Sequence, residues 1–348
     1  MNADIYGDQN IDNKTDITYL IGAGASFNAI PVVNELTPGL KRFKSFIRKN
    51  VKDKNKIKLF ENVFNKYLPE IVKCYSVDTY AKKLWLQNEI EEFNRFKLFL
   101  SAYFLFEEIT EHPATENESS KTILDYRYDS FFATVLEKNK NNLYLPSTLN
   151  IISWNYDSQI EKSYSGFSKM DLDDSYKSLG ICSYGEIDRL SSGNEFRIFK
   201  LNGSARLISK IFGTDNMSNS NFKNLITEEI VLEIIQNLEN PLQYWLTLLV
   251  FAWEHDYNDI YFENIDQRIK ATKVFVIIGY SFPLFNRNID KLITKELQPT
   301  KVVIQAPAND LEGIRSRLLQ TVDIDPKIIQ LESITDLFYI PNELGLPH

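Results

Sequence analysis

A chain of 348 residues that is 43% hydrophobic and 25% charged can build a large packed core and is not disordered in composition. Its 39 Lys and Arg against 47 Asp and Glu leave a net charge of −8, the wrong sign for non-specific binding to nucleic acid or an anionic membrane. Two cysteines, Cys74 and Cys182, exclude a four-thiolate zinc module, and three histidines, His112, His255 and His348, leave little room for histidine-based chemistry.

Residues Met1 to Asp16 are polar and are expected to fray; they carry no signal-peptide pattern. Ile17 to Ile21 reads as a buried strand running into a glycine turn. From Leu40 to about Glu111 apolar residues recur at helical spacing, with no break at glycine and a single proline, Pro69, which predicts an inserted group of helices. His112 to Ser120 reads as a polar loop, Thr122 to Glu137 as a helix, and Leu149 to Ser153 as a second core strand. Asp171 to Asn194 reads as a surface excursion, Phe196 to Leu201 as a third strand, and Ser218 to Asn221 as a loop. Thr227 to Asn237 and Leu242 to His255 read as amphipathic helices, Lys273 to Ile278 and Lys301 to Gln305 as the fourth and fifth strands, and Asp310 to Leu319 as a short helix. Strands alternating with helices predict an α/β, Rossmann-like, mostly parallel sheet with a helical insertion or second helical subdomain. The discontinuous core is expected at about 17–35, 122–210 and 270–320, with helical segments at about 36–121 and 222–262, all within one domain. The longest apolar runs, Tyr244 to Trp253 and Val274 to Tyr280, are too short to cross a bilayer, so a cytoplasmic protein is expected.

Chemistry concentrates where strands end. Ile21-Gly22-Ala23-Gly24-Ala25-Ser26 follows a strand and is expected to open a helix. Glycines let backbone approach a phosphate closely, and a helix N-terminus offers it free N–H groups. The dinucleotide fingerprint is incomplete, because Phe27 stands where its third glycine would fall. Three further segments follow strands: Ser153-Trp154-Asn155-Tyr156-Asp157, Lys200-Leu201-Asn202-Gly203-Ser204 and Ile278-Gly279-Tyr280-Ser281-Phe282-Pro283. Asn155 and Asp157 also suit a turn and a helix cap.

Together, in this order from about Ile17 to Pro307, the four segments resemble the sirtuin-like NADases of prokaryotic antiviral defence. The resemblance implies an NAD site at the carboxyl ends of the strands. Gly22, Ala23, Gly24 and Ser26 would match the pyrophosphate loop, Asn155 and Asp157 with Trp154 between the strand and the pair would sit beside the nicotinamide ribose, and Gly279, Tyr280 and Ser281 would lie near the adenosine half. Asp290 or Asn288, just beyond, would face the ligand or cap a helix, and Gln305-Ala306-Pro307 falls where an adenine-contacting loop would lie. The family's Lys-Leu-His-Gly motif has Asn202 in place of its histidine, and asparagine cannot take up a proton near neutral pH. Either Asn202 binds ribose while Asn155 positions water, or the chain binds NAD without turning it over. His255, in Trp253-Glu254-His255-Asp256, is read as a helix-end cation and not as a substitute.

The activity implied is NAD glycohydrolysis to ADP-ribose and nicotinamide by a toxic effector of antiphage, abortive-infection defence. Asn155, Asp157 and Asn202 would be its catalytic residues, NAD its substrate, and no metal is expected. The activity would be gated by assembly, as a homo-oligomer, or by a HerA-type ATPase, an Argonaute-like protein or a nucleotide-sensing subunit, without direct contact to membrane or nucleic acid. The alternative is a regulatory NAD- or ADP-ribose-binding subunit. A sirtuin-type protein deacylase is disfavoured, because its four-cysteine zinc module has no counterpart here.

Overall fold

Seven short strands lie parallel in one sheet, which fixes where any ligand crevice falls. The computed structural model describes residues 15–32, 35–74, 76–114, 120–139, 142–185, 196–209, 228–236, 238 and 245–344. After β1 (Ile17–Ile21) come four helices, α1 (Leu36–Asn50), α2 (Lys54–Cys74), α3 (Val77–Leu86) and α4 (Ile90–Ile109). Helix α5 (Tyr126–Val135) precedes an antiparallel pair, β2 (Glu137–Asn139) and β3 (Asn142–Tyr144), and then β4 (Leu149–Ser153). Helices α6 (Gln159–Ser168) and α7 (Leu172–Ser178) lead to β5 (Ile181–Ser183) and β6 (Ile198–Lys200). Then come β7 (Gly203–Ser209), α8 (Glu228–Gln236), β8 (Trp245–Leu249), α9 (Ile260–Ile269), β9 (Val274–Ile278), α10 (Arg287–Thr294), β10 (Lys301–Gln305), α11 (Leu311–Thr321) and β11 (Ile329–Glu332).

The strand order is β11-β10-β9-β1-β4-β6-β5. Ile17 pairs with Leu149 on one side and with Val274 on the other, so the chain leaves β1 in one direction and returns on the opposite flank. That reversal makes a topological switch point between β1 and β9, and open α/β sheets hold ligands outside the carboxyl ends of the strands there. β1, β4 and β9 are buried along their whole length, because helices cover both faces of the sheet. Tyr128, Phe132, Ile160 and Tyr164 of α5 and α6 pack on one face; Ile265, Ile289, Ile314 and Leu318 of α9, α10 and α11 pack on the other.

A third core belongs to the insertion. Leu36, Leu40, Phe43 and Ile47 form the inner stripe of α1, and Phe60, Phe64, Tyr67 and Ile71 that of α2. Both close on α4, which is buried on every face between α1, α3, α8, β7 and β8. Edge-on ring pairs such as Phe43 with Phe60 (5.6 Å) and Tyr67 with Phe99 (5.2 Å) fill the centre.

All five expected strands are present. The parallel sheet holds two more that were hidden, and β2, β3, β7 and β8 form small antiparallel pairs outside it: β5 falls inside Asp171–Asn194, which therefore is not only a surface excursion but also carries α7 and an edge strand, and β11 lies beyond the last expected element. Leu242–His255, expected as a helix, is not one over the part that is described. Its described part forms β8, antiparallel to β7, followed by one 3-10 turn at Ala252–Glu254. A short apolar run satisfies either period, and pairing with β7 decides it. The glycine turn does not open an α-helix; it forms a four-residue 3-10 turn, Ala23–Ser26, and α1 begins only at Leu36. The helix over Glu228–Gln236 matches the expected Thr227–Asn237 segment within its described part. Residues 1–14, expected to fray, residues 218–221, expected as a loop, and His348 lie outside the described residues.

Candidate functional site

Two turns interlock at the switch point. Gly22 donates its N–H to Ile278 O (3.0 Å) and Gly24 to Gly279 O (2.9 Å), so the turn after β1 lies directly on the turn after β9. A Cβ on Gly22 would stand 2.7 Å from Gly279 O, and one on Gly24 2.8 Å from Gly279 Cα. Gly279 itself has φ +58°, and a side chain there would run into the backbone of Gly24 and Ala25. The glycines are thus required by backbone packing against backbone. The N–H groups of Gly22, Gly24 and Ala25 are taken within the protein, which leaves the Ala23 N–H at the crest. Arg127, which no motif flagged, clamps this crest: its Nη2 donates to Gly24 O (3.0 Å) and Ala25 O (3.1 Å) while Asp125 fixes the guanidinium. Phe282, just beyond, holds φ +52° immediately before Pro283, a conformation strained for a bulky residue.

Beneath the crest, Ser26, Asn155 and Asp157 come together. Asn155 Nδ2 donates to Ser26 Oγ (3.1 Å), and Ser26 Oγ also bonds Tyr128 OH (3.1 Å). Asp157 Oδ1 accepts the Gln159 N–H (3.1 Å) in a turn one residue ahead of the helix, whose N-cap is Ser158 and not Asp157, and Asp157 also lies in the cavity wall. Burial, reinforced by the nearby Glu108 carboxylate, pushes Asp157 up to about 6, against the pull of Lys200, the Gln159 N–H and Ser26. Lys200 lies behind, bonding Asp157 O and Glu161 Oε1 (2.7 Å each). Glu161 is fully buried and is held charged, though burial opposes it, by Lys200 and Arg206. This charged cluster sits under β4 and β6 and fixes the loop that carries Asn155 and Asp157.

Asn202 lies in the turn between β6 and β7. Its Nδ2 donates to Trp154 O (2.9 Å); its Oδ1 is buried in the wall with no partner. Unsatisfied buried carbonyl groups are costly and rare, so this oxygen is poised for an external donor. His255 stands behind it, with Nε2 2.7 Å from Leu201 O and Nδ1 3.0 Å from Ala252 O. Burial lowers its pKa, and with both ring nitrogens against carbonyl oxygens it is not placed to exchange protons with a ligand. Trp154 stacks on Tyr280 (5.9 Å, 10°), and Asp290 accepts from Trp154 Nε1 (3.1 Å) and Tyr280 OH (2.8 Å). Asp290 is fully buried and lines neither of the two cavities at the crest; it braces two rings that do. Burial pushes its carboxyl up to about 8. Asn288 is exposed.

Two cavities flank the crest and share Ala23, Val32, Gly279, Tyr280 and Ser281 as a common wall. One, of about 230 Å³, holds Trp154, Asn155, Asp157 and Asn202. The other, of about 490 Å³, holds Gly24, Arg127 and Arg317, with Gln305, Ala306 and Pro307 after β10. Arg317 Nε donates to Ser281 O (2.6 Å) at its rim. Gln305 turns its amide to Ile334 O and Leu337 O (2.6 Å each) and fastens the C-terminal segment over the sheet. The insertion also reaches the smaller cavity, through Leu36, Asp78 and Phe104. Among the described residues no group of His, Cys, Asp and Glu is arranged to hold a metal ion, and no helix is long and apolar enough to cross a membrane. No protein-family model matches the sequence, and no curated protein matches it.

Proposed function

We propose that this chain binds NAD across the crest and hydrolyses its nicotinamide–ribose bond. The observation that carries this reading is the paired cavity at the switch point, with Asn155, Asp157 and the unpartnered Asn202 Oδ1 on one side and a larger, arginine-edged compartment on the other. The nicotinamide riboside half fits the smaller cavity and the adenosine half the larger. The diphosphate crosses the crest, where the Ala23 N–H and Arg317 are its donors. Water adds to the ribose C1′, the C1′–N bond breaks with its electron pair leaving on nicotinamide, and one proton is released.

Such a transition state carries positive charge on the ribose and needs no strong acid, because nicotinamide is already cationic when bound. Asp157 supplies the opposing charge. Asn155, fixed on Ser26, orients the water, and Asn202 Oδ1 accepts a hydrogen bond from the nicotinamide riboside half. None of these roles requires the histidine that Asn202 replaces. The resemblance of the four motifs supports a defence effector whose toxicity is gated by assembly or by a partner subunit of the kinds named above.

The test is to incubate purified protein with NAD and follow nicotinamide release, alone and with the product of a neighbouring gene. Asn155→Ala is expected to lower release by at least about 100-fold with the melting temperature held within a few degrees. Release that survives this change would remove Asn155 from the reaction. A thermal shift with NAD but no nicotinamide under any condition supports the binding-only alternative instead.

A further inference from the structure

The smaller cavity has a composition that selects charge. Phe104, Trp154, Tyr156, Phe251, Trp253 and Tyr280 give it six aromatic side chains; among the described residues, Asp78 and Asp157 are its only carboxylates and no Lys, Arg or His lines it. Aromatic faces attract cations, most strongly when water is displaced. Asp78 comes from the first turn of α3, in the insertion, where a carboxylate gains from the helix N-terminus. That local benefit does not require it to line a cavity. It makes no hydrogen bond or ion pair within the described residues, and Lys82, one turn along α3, instead holds its Nζ 4.9 Å over the Trp253 ring. Asp78 is half-buried by surface area, yet walled in closely enough that burial pushes its carboxyl up to about 6. An independent pointer to a ligand is Asn202, 8% exposed, whose Oδ1 in the same wall lacks a donor.

We propose that this cavity selects a flat, cationic heteroaromatic ring carrying an amide-type donor, and that Asp78, a residue of the helical insertion, supplies the charge that selects it. The identification of that ring as the pyridinium of oxidised NAD rests on the function proposed above; the preference for a cation does not. Asp78 stands against the ring's positive charge and Asn202 Oδ1 accepts from its carboxamide. The reduced, uncharged dihydropyridine ring loses both the cation–π attraction and the ion pairing, so the insertion reads the oxidation state of the ligand.

The probes are 1-methylnicotinamide, a cation, and nicotinamide, its neutral counterpart, with binding followed by tryptophan fluorescence and calorimetry. The native chain is expected to favour the cation by about tenfold or more. Asp78→Asn is expected to cut that preference to about twofold, and Asp78→Glu to retain most of it, with both variants still unfolding cooperatively and Asp78→Asn melting no lower than the native chain near neutral pH. Equal affinity for the two probes, no binding of either, or a preference that survives Asp78→Asn overturns the inference. NAD cleavage is measured on the same proteins: a cation preference without cleavage removes the hydrolase reading alone, and cleavage without the preference removes this inference alone.

Discussion

Gly279 shows how a single missing Cβ organises the site. With φ +58° and the Gly24 backbone against it, Gly279→Ala is expected to cost at least about 2 kcal/mol, from left-handed strain and overpacking together. The measurement is the urea midpoint. Gly166 is the contrast: exposed in α6 with open space around it, so Gly166→Ala should gain about 0.5–1 kcal/mol. Asp290 makes a different forecast. Its carboxyl is pushed up to about 8 in the fold against an ordinary 3.8, so the folded chain holds a proton that the unfolded chain releases. Its contribution is full below about 3.8 and is lost as pH rises toward 8. Asp78 and Asp157, pushed up to about 6, add the same slope over a lower range. Wild-type melting temperature should therefore keep falling between about pH 6 and pH 8, and Asp290→Asn should flatten that upper limb. An unchanged slope in the variant would place the titration elsewhere.

At the scale of elements, the lesson is how the insertion is fastened. Lys97 is buried on α4 and bonds both oxygens of Glu254 (2.7 and 3.0 Å), which in turn receives the Phe251 N–H. Burial lowers the Lys97 pKa, and Glu254 opposes that. Removing the cation alone strands a carboxylate, so Lys97→Met should cost about 3 kcal/mol, and adding Glu254→Gln should recover much of it. Chemical denaturation of the single and double variants measures the coupling. The same region shows what periodicity conceals. Val274 to Ile278 announces a buried strand because every residue is apolar and turn residues flank it. Trp245-Leu246-Thr247-Leu248-Leu249 is nearly as apolar, but its state depends on β7, a partner some forty residues away whose pairing with it is irregular between Gly203 and Leu207. β5 is three residues, Ile181-Cys182-Ser183, too few for any pattern.

For the molecule as a whole, the sheet was legible because both its faces are covered, which writes its central strands as unbroken apolar runs. The strand-end segments were legible as places where turns and polar groups coincide, and the structure does gather Ser26, Asn155, Asp157 and Asn202 around one crevice. Asp78, Arg127, Glu108 and Glu161 were not legible, because in sequence each is one charge among many on a helix. Only the packing of the insertion and of α5 and α6 turns them inward. The interlocked turns have a last consequence. Each turn is keyed into the other by backbone, so together they stand as a stiff double bulkhead between the two chambers. Occupants of neighbouring rooms with an unyielding party wall neither jostle nor evict one another. Nicotinamide and adenosine monophosphate, given together, should accordingly raise the melting temperature by about the sum of their separate effects, and competition between them would mean that the bulkhead gives way.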